Sequence, residues 1–343
     1  MSEAPVRIGV VGLGFGVHLV RALGNVEGAV PAALADRHAH ELEPLAGELN
    51  ATPYRDGMQM IAEADLDAVI LAVNPGSRGA LMDTAIASGL HVLVEKPWAS
   101  DPHQARAYAD RCRGASQVVM SGFSFRYHPA FQRLLDVLEQ DIGPPGTLSG
   151  RYVFDWRPEP THWLWDRKRG GGFFNENSCH LLDAVTAIMG RPKRVFAEAV
   201  NLLEDPAEDA MTATVSFESG GIASLSLGCV GCSAFGDFPS LQVVAPRGEA
   251  HLRGRSHVWE SLTWTHRGES SRHRFDHSPE QLGATRYDDA ISHFVSCIRE
   301  RSCPQTDVEA GVAAVDFAYA LMRSAELVRP IDLPLQLPDS RLE

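Results

Sequence analysis

The chain has 343 residues with a formal net charge of −13, 44% hydrophobic residues and 22% charged residues. This is the composition of a globular protein of about two domains, and it excludes a collagen-like fibre and a coiled coil. The negative charge argues against a sequence-independent nucleic-acid surface, and no apolar run reaches the ~18–20 residues that span a bilayer. We therefore expect neither a nucleic-acid nor a membrane partner.

Two further features of the sequence bear on the cellular compartment. The N-terminus lacks a basic segment followed by an apolar one, so no signal peptide is predicted. The six cysteines follow no regular spacing, which argues against a disulfide framework. We expect a cytoplasmic protein with reduced thiols.

The first third of the chain alternates short apolar runs with helical patterns. Strands are predicted at Arg7–Val11, Ala29–Ala35, Ala68–Val73, His91–Glu95 and Gln117–Ser121. Helices are predicted at Gly16–Gly24, Ala39–Asn50, Met58–Ala64, Gly79–Gly89 and Pro102–Arg113. This alternation indicates βαβ units, and the uninterrupted apolar character of the strands indicates a parallel sheet covered on both faces. Residues 1–125 are assigned to this first domain.

The pattern changes after about residue 125, and residues 126–343 are assigned to a second domain. Its predicted strands are Leu148–Asp155, Arg194–Leu202, Thr212–Glu218, Ile222–Cys229 and Leu241–Ala245, with further candidates at Ala250–Arg253, Val258–Thr265 and Ser271–Phe275. Gly220-Gly221 is a hairpin signal. Helices are predicted at Pro129–Gln140, Thr285–Arg299 and Val308–Leu327, the last two being free to pack back on the first domain. We expect a largely antiparallel sheet with helices on one face.

A glycine-rich turn follows the first predicted strand and opens the first helix. Gly12 permits the tight turn, Gly14 permits close approach of a pyrophosphate, and the helix N-terminus offers N–H groups to the phosphates. Val17 stands where the motif usually has Gly or Ala, and Gly16 beside it is expected to restore close helix packing. A dinucleotide site is predicted, and a simple glycine turn is the alternative. The predicted contacts in this turn are Gly12, Gly14, Phe15 and Gly16.

Asp36 ends the second predicted strand, about 20 residues beyond the turn. A carboxylate there accepts both ribose hydroxyls and repels a 2′-phosphate, which favours NAD over NADP. Arg37 beside it can neutralise or stack on a 2′-phosphate. We predict NAD, with Asp36 and Arg37 among its contacts, and NADP is the alternative.

The strand at His91–Glu95 continues into Lys96 and Pro97. Ligands of open α/β sheets bind at the carboxyl ends of strands, so Lys96 is expected to face the cofactor crevice. A lysine there can stabilise a developing alkoxide. We assign Glu95 and Lys96 to the cofactor site, and Lys96 also to substrate binding and catalysis. The alternative is a charged surface pair that ends the strand. Pro97 is a candidate for a cis peptide bond.

A second cluster follows three glycines, Gly170–Gly172, on a helix predicted to run to about Met189. Positions three or four apart share a helix face, so Glu176, His180 and Asp183 are expected to lie together. Imidazole titrates near neutral pH and can take the hydroxyl proton of an alcohol, and a neighbouring carboxylate fixes its tautomer. The alternative is acidic capping of the helix with a core-facing histidine.

These motifs resemble the glucose–fructose oxidoreductase, inositol dehydrogenase and rhizopine-catabolism (Gfo/Idh/MocA) oxidoreductase family over nearly the whole chain. The matching segments are Gly12–Gly16, Gly89–Pro97, Gly122–Pro129, Gly170–Gly172 with His180 and Asp183, and His293-Phe294 through Thr306-Asp307 to Gly311. The resemblance implies a Rossmann domain followed by an α+β domain with a large open, mainly antiparallel sheet. It also implies that the outer face of this sheet contacts another copy, in a homo-oligomer predicted to be a dimer or tetramer.

The resemblance further implies NAD(P)-dependent hydride transfer at a carbinol carbon. It places the family's catalytic histidine at His180 and its lysine at Lys96, whereas Glu176 stands where the family usually has Asp. We predict that Glu176 orients His180 or contacts a neighbouring substrate hydroxyl. The family commonly has a proline near the cofactor where this chain has Asn74-Pro75, and both are assigned as cofactor contacts. A turn-capping role is the alternative for Asn74. The family also has a histidine shortly afterwards, where this chain has Arg78.

Two further residues are candidates for substrate binding. Arg126 follows the fifth predicted strand, and a structural salt bridge is its alternative. Trp163 can stack on a sugar ring, and core packing is its alternative. No metal site is predicted, because Cys229 and Cys232 lack a second ligand pair and are interpreted as two small buried residues.

Together these features predict an oxidoreductase that transfers hydride between NAD and a ring hydroxyl or ketone of a sugar, aminosugar or cyclitol. The small-molecule substrate is a polyol or sugar. An NADP-dependent ketoreductase acting on a sugar or nucleotide-linked sugar is one alternative. A non-catalytic cofactor-binding sensor is another, and the presence of both Lys96 and His180 argues against it.

Overall fold

The structure, a computed structural model, describes residues 4–166, 169–278 and 284–336. The chain divides into two compact units. The first comprises Met1–Ala99, Gln104–Ser124 and Gly283–Val312, and the second comprises Ser100–His103, Phe125–Leu282 and Ala313–Glu343. Within the described ranges, no helix has the length and apolar character needed to cross a membrane.

The first unit is built on a six-stranded sheet in which every neighbouring pair is parallel. Its strands are β1 (Val6–Val11), β2 (Ala29–Ala35), β3 (Thr52–Tyr54), β4 (Ala68–Leu71), β5 (His91–Val94) and β6 (Val119–Ser121). The helices between them are α1 (Leu13–Leu23), α2 (Ala39–Leu49), α3 (Gly57–Glu63), α4 (Gly79–Ala87) and α5 (Pro102–Cys112). The strand order β3-β2-β1-β4-β5-β6 is that of a doubly wound dinucleotide-binding fold.

Strand burial in this unit explains both the success and the one omission of the sequence prediction. All four residues of β4 are fully buried, as expected for a strand covered on both faces. The omitted strand, β3, lies at the sheet edge, where Thr52 and Pro53 are exposed. A short edge strand carrying a proline has no apolar run to reveal it.

The second unit is built on a nine-stranded sheet in the order β14-β13-β12-β11-β7-β10-β9-β8-β15. Its strands are β7 (Thr147–Val153), β8 (Pro192–Val200), β9 (Ala210–Phe217), β10 (Ile222–Gly228), β11 (Ser240–Ala245), β12 (Gly248–Arg255), β13 (Val258–His266), β14 (His273–Asp276) and β15 (Ile331–Asp332). Every neighbouring pair is antiparallel except β7 and β10. The predicted fold class, a parallel Rossmann sheet followed by a mainly antiparallel α+β domain, is confirmed.

Helices complete the described chain. They are α6 (Pro129–Asp136), α7 (Phe173–Glu176), α8 (Cys179–Met189), α9 (Asp288–Glu300) and α10 (Val308–Leu327). Along β9, Met211, Ala213, Val215 and Phe217 are buried while the intervening residues are more exposed. This alternation shows that the large sheet packs one face on a core, to which α6, α8 and α10 also contribute.

Local backbone geometry confirms one predicted turn and corrects two predicted helices. Gly220, with φ of +86°, lies in the hairpin between β9 and β10, as predicted. The helix predicted to open at the triple glycine begins only at Phe173, because Gly171 and Gly172 have φ of +78° and +84°. That helix is also interrupted at residues 177–178, and helix α6 is followed by a π-helical turn, Val137–Ile142.

Candidate functional site

The glycine turn after β1 is tightly enclosed on one side and open on the other. Gly12 has φ of +91°, and a Cβ there would lie 2.8 Å from the carbonyl oxygen of Ala72. A Cβ on Gly16 would lie 3.1 Å from the Cβ of Ala72, which is the close helix packing predicted for that position. Around Gly14, by contrast, no described atom lies within 4 Å of such a Cβ. The open space at Gly14 fits a phosphate that approaches the backbone and the start of α1.

The Asp36 carboxylate is fixed beside this turn by two backbone donors. Its Oδ2 accepts a hydrogen bond from the N–H of Leu13 at 2.7 Å, and its Oδ1 accepts one from the N–H of His38 at 2.8 Å. Arg37 next to it is exposed. The acidic group at the end of β2 is therefore held against the first residue of α1, as a ribose-binding carboxylate requires.

Lys96 follows β5 and lies near the aromatic ring of Phe15. Its Nζ is 5.7 Å from the ring centroid, and the ring of Tyr287 meets Phe15 edge-on at 5.7 Å. Burial raises the pKa of Tyr287 to about 12, so its phenol stays protonated at neutral pH. The Arg286 guanidinium lies 4.8 Å from the centroid of the Tyr287 ring. Tyr287 carries no motif, so the sequence alone did not reveal it as a neighbour of this lysine.

Arg78 supports the backbone at Lys96 and Pro97. Its side chain is 1% exposed, and its Nε donates to the carbonyl of Val73 at 2.9 Å. Its two terminal nitrogens donate to the carbonyls of Pro97 and of Lys96, the latter at 3.4 Å. The Lys96–Pro97 peptide bond is cis. The sequence showed Arg78 only as a departure from the family pattern, and the structure shows it as a buried support of the segment after β5.

The other predicted cofactor residues of the first unit follow the carboxyl ends of β4 and β5, which are neighbouring strands. The carbonyl of Pro75 accepts a hydrogen bond from the Tyr108 hydroxyl at 2.7 Å, and Asn74 Oδ1 accepts one from Ser77 at 3.1 Å. Glu95 is buried and packs against Gly122, where a Cβ would lie 3.1 Å from the carboxylate. These residues lie beyond the carboxyl ends of the strands, where ligands of open α/β sheets bind.

In the second unit, His180 lies at the start of α8 and is half-buried. The ring of Phe125 stacks on its imidazole with 4.9 Å between centroids and 25° between planes. Arg126, the next residue, makes two hydrogen bonds of 2.7 and 2.6 Å to the Asp183 carboxylate, which is 1% exposed. The salt bridge considered for Arg126 is therefore present, and this pair fixes α8 one turn beyond His180.

Glu176 lies on α7, separated from His180 by the interruption at residues 177–178. Its carboxylate accepts a hydrogen bond from the Asn177 side chain. It also raises the pKa of His162 against a larger lowering by burial. The single helix predicted to carry Glu176, His180 and Asp183 is interrupted, so Glu176 belongs to α7 whereas His180 and Asp183 lie three residues apart on α8.

Two further predictions concern packing. Trp163 is half-buried in a short 3₁₀ helix, Trp163–Trp165, where a Cβ on Gly170 would lie 2.6 Å from its ring. This contact, and its packing against the main core of the unit, match the packing alternative for Trp163. The interpretation of Cys229 and Cys232 as two buried residues is wrong for Cys232, which is exposed because it follows the end of β10.

Comparisons with known families match both parts of the chain. A model described as "Oxidoreductase family, NAD-binding Rossmann fold" matches residues 6–123. A second model, described as the GFO/IDH/MocA C-terminal domain, matches residues 131–251. Together they cover the turn at Gly12, Lys96, His180 and most of the second sheet.

Curated relatives match over nearly the full chain. A D-xylose 1-dehydrogenase (NADP(+)) of Haloferax volcanii is 24% identical over 96% of this chain and 100% of its own length. A scyllo-inositol 2-dehydrogenase (NAD(+)) of Bacillus subtilis is 24% identical over 90% of this chain and 91% of its own. Among solved structures, the WlbA dehydrogenase of Bordetella pertussis, in complex with NADH and UDP-GlcNAcA, has a TM-score of 0.84 at 20% identity. That match covers 98% of this chain and all of the other.

Proposed function

The chain belongs to the GFO/IDH/MocA family of NAD(P)-dependent oxidoreductases, and we propose that it transfers hydride between NAD and a ring carbinol or ketone. The substrate class proposed is a sugar, an aminosugar or a cyclitol. The observation that supports this most directly is the open turn at Gly14 beside the fixed Asp36 carboxylate. The names of the curated relatives, a xylose and an inositol dehydrogenase, support the substrate class.

The residues of the first unit fit a dinucleotide. The N-terminal N–H groups of α1 and the space at Gly14 would hold the pyrophosphate, and Asp36 would hold the adenosine ribose. Asp36 already accepts two backbone hydrogen bonds as an anion, so a 2′-phosphate beside it would be repelled. This favours NAD, whereas exposed Arg37 is the group that would tolerate NADP. Phe15, Asn74, Pro75 and Glu95 are the further proposed contacts.

The chemistry requires two transfers from the carbinol. A bound nicotinamide would supply the hydride acceptor for oxidation of the carbinol and the hydride donor for reduction of the ketone. His180 takes the hydroxyl proton during oxidation and gives it back during reduction, because imidazole titrates near neutral pH. Lys96 donates a hydrogen bond to the same oxygen and stabilises its negative charge. Glu176 orients His180 or binds a neighbouring hydroxyl, and Arg126 and Trp163 are assigned to the surroundings of the substrate.

We further propose a cytoplasmic homo-oligomer, either a dimer or a tetramer. None of the six cysteines, all of which the structure describes, forms a disulfide bond, which supports a reducing compartment. The face of the large sheet that carries Phe196, Ile222 and Val244 supports self-association, since Ile222 is 56% exposed there. Light scattering after size-exclusion chromatography would give the mass, and a strictly monomeric wild type would refute the oligomer.

The test is a screen of near-ultraviolet absorbance, where reduced nicotinamide absorbs and the oxidised form does not. Purified protein is mixed with sugars, aminosugars and inositols, with NAD and NADP side by side. Once a substrate is found, His180→Asn and Lys96→Met are each expected to lower kcat/KM by about 10²–10⁴-fold. His251→Asn, which changes a half-exposed histidine on β12, is the matched control and should keep full activity.

Other outcomes would redirect the assignment. Consumption of NADPH by a ketosugar or a nucleotide-linked ketosugar, with NAD inactive, would establish the reductase alternative. Binding of NADH without turnover of any compound would support the sensor alternative. Full activity in the His180→Asn variant would refute the role given to that histidine.

A further inference from the structure

Three metal-ligating side chains meet on the hairpin between β13 and β14, at the edge of the large sheet. They are His266, Glu269 and His273, and one ligand atom of each lies within 4.8 Å of those of the other two. The Glu269 Oε2 atom is 3.2 Å from His266 Nδ1 and 3.4 Å from His273 Nε2. Two imidazoles therefore converge on a single carboxylate oxygen.

These separations are close to those around a bound transition-metal ion. Nitrogen and oxygen ligands lie about 2.0–2.1 Å from tetrahedral zinc, so any two of them are about 3.3 Å apart. Both distances to Glu269 already have this value, and only the separation of the two imidazole nitrogens has to adjust. Two imidazoles with one carboxylate form a ligand set that suits zinc, copper or nickel better than calcium or magnesium.

The hairpin that carries the cluster is held by contacts other than those among the three ligand side chains. The Trp264 ring stacks on His273 with 5.2 Å between centroids. The hydroxyl of Thr265 donates to the carbonyl of Ser271 at 2.8 Å. Arg267 donates from its backbone to the carbonyl of Arg247 at 2.7 Å and from its Nε to that of Pro246 at 3.0 Å. Such support orients ligands before an ion arrives.

We propose that His266, Glu269 and His273 form a binding site for a divalent transition-metal ion, with zinc as the reference ion. Three protein ligands leave the fourth tetrahedral position to water. The ion connects the last residue of β13 to the first residue of β14 and therefore holds the edge hairpin of the sheet closed. The site shares no residue with the proposed oxidoreductase chemistry, so each can fail without the other.

The chain offers a matched control for this site. On β12, His251 Nε2 lies 2.6 Å from Glu249 Oε1, which is an imidazole–carboxylate pair of similar exposure with one histidine. If a single exposed pair were enough to bind zinc, the control would bind as well as the proposed site. The exposed thiols of Cys232 and Cys303 are competing ligands, so all proteins in the test carry Cys232→Ser and Cys303→Ser.

The experiment is isothermal titration of the chelator-treated, desalted full chain with zinc chloride at neutral pH. One ion per chain is expected, and His266→Ala and His273→Ala should each weaken binding at least about tenfold, with Glu269→Gln weakening it as well. His251→Ala should leave binding unchanged. Circular dichroism verifies that each variant is folded, which is expected because none of the three side chains is buried.

Thermal unfolding provides a second readout that does not depend on oxidoreductase activity. Excess zinc should raise the Tm of the parent protein and leave the Tm of His266→Ala and His273→Ala unchanged, because an ion that binds only the folded state stabilises it. The proposal is overturned if the parent protein binds no zinc. It is also overturned if His266→Ala and His273→Ala bind zinc as tightly as the parent protein and the His251→Ala control.

Discussion

The two units hold their candidate functional groups by different means. In the first unit the backbone does most of this: the φ of Gly12 shapes the turn, the N–H of Leu13 fixes Asp36, and carbonyl groups around Lys96 accept the hydrogen bonds of Arg78. In the second unit side chains do it, since Phe125 stacks on His180 and Arg126 pairs with Asp183.

This difference follows from the two sheets. Strands of the parallel sheet are buried on both faces, so polar groups are presented where strands end and the backbone is free to turn. The large sheet packs one face on a core, and its helices must be positioned by contacts between side chains. Substitutions in the first unit should therefore act by changing the backbone conformation. Substitutions in the second unit should act by breaking contacts between side chains.

The largest effect is expected from breaking the Arg126–Asp183 pair. Asp183→Asn removes the anion from a pair whose side chains are 1% and 15% exposed, and a loss of about 3–5 kcal/mol in unfolding free energy is expected. Urea unfolding followed by tryptophan fluorescence measures it. As a control, Asp332→Asn breaks the exposed pair with Arg194, which solvent screens, and should leave the urea midpoint almost unchanged. Equal losses in the two variants would contradict the distinction.

A smaller effect is expected at Arg78, whose side chain supports the segment that contains Lys96 and Pro97. Arg78→Met leaves the carbonyls of Val73, Lys96 and Pro97 without the guanidinium that donates to them, at a cost of about 1–3 kcal/mol. Arg78→Lys should restore only part of this, because an ammonium lacks the planar fork. Thermal unfolding measures stability, and NADH fluorescence titration tests whether the cofactor site is disturbed. Full rescue by lysine would show that charge alone matters.

The two glycines of the turn should respond in opposite ways. Gly12→Ala puts a Cβ against the Ala72 carbonyl at a positive φ, and a stability loss of about 1–3 kcal/mol is expected. Gly14→Ala meets open space, so stability should stay within about 0.5 kcal/mol while NAD binding weakens. Thermal unfolding without cofactor and NADH titration separate the two effects. Unchanged NADH affinity in Gly14→Ala would argue against a phosphate at this turn.

The smallest effect concerns acid stability. Burial lowers the pKa of His91 below 6.5, and its Nδ1 accepts the N–H of Val118 at 2.9 Å. As the pH falls, His91 is therefore protonated in the unfolded chain before it is protonated in the folded chain. The contribution of neutral His91 to the free energy of unfolding is complete above pH 6.5 and is lost as the pH falls below it. His91→Asn keeps an acceptor and cannot titrate, so it should flatten the decline in Tm as the pH falls below about 6.5. The same change at exposed His103 should not.

The sequence anticipated the first unit better than the second. Apolar runs such as Ala68–Val73 are long enough to identify strands that are buried on both faces, and the strands they predicted are present. Edge strand β3 lacked that signal. In the second unit the helix after Gly170 was predicted as continuous, because helical periodicity does not register an interruption of two residues.

The candidate site was predictable where its residues are near in sequence. Gly12, Gly14 and Asp36 follow a known spacing, and Lys96 follows a buried strand. Arg126 and Asp183 are 57 residues apart, and Tyr287 lies far along the chain from Phe15, which it contacts. No local pattern encodes such pairs, which is why a structural role and a binding role for Arg126 could not be separated beforehand.

The sequence by itself determined the alternation of strands and helices, the place of the dinucleotide turn and the residue types available for proton and hydride chemistry. These depend on the periodicity of apolar residues and on the conformational range of glycine, which are local properties. Only the tertiary structure decided which groups support them, namely Arg78 at the carbonyls of Lys96 and Pro97, and Arg126 at the carboxylate of Asp183. Such contacts form when segments that are distant in the sequence pack together. A buried charged or polar group is stable only where a hydrogen-bonding partner lies within reach, so packing decides which pairs form.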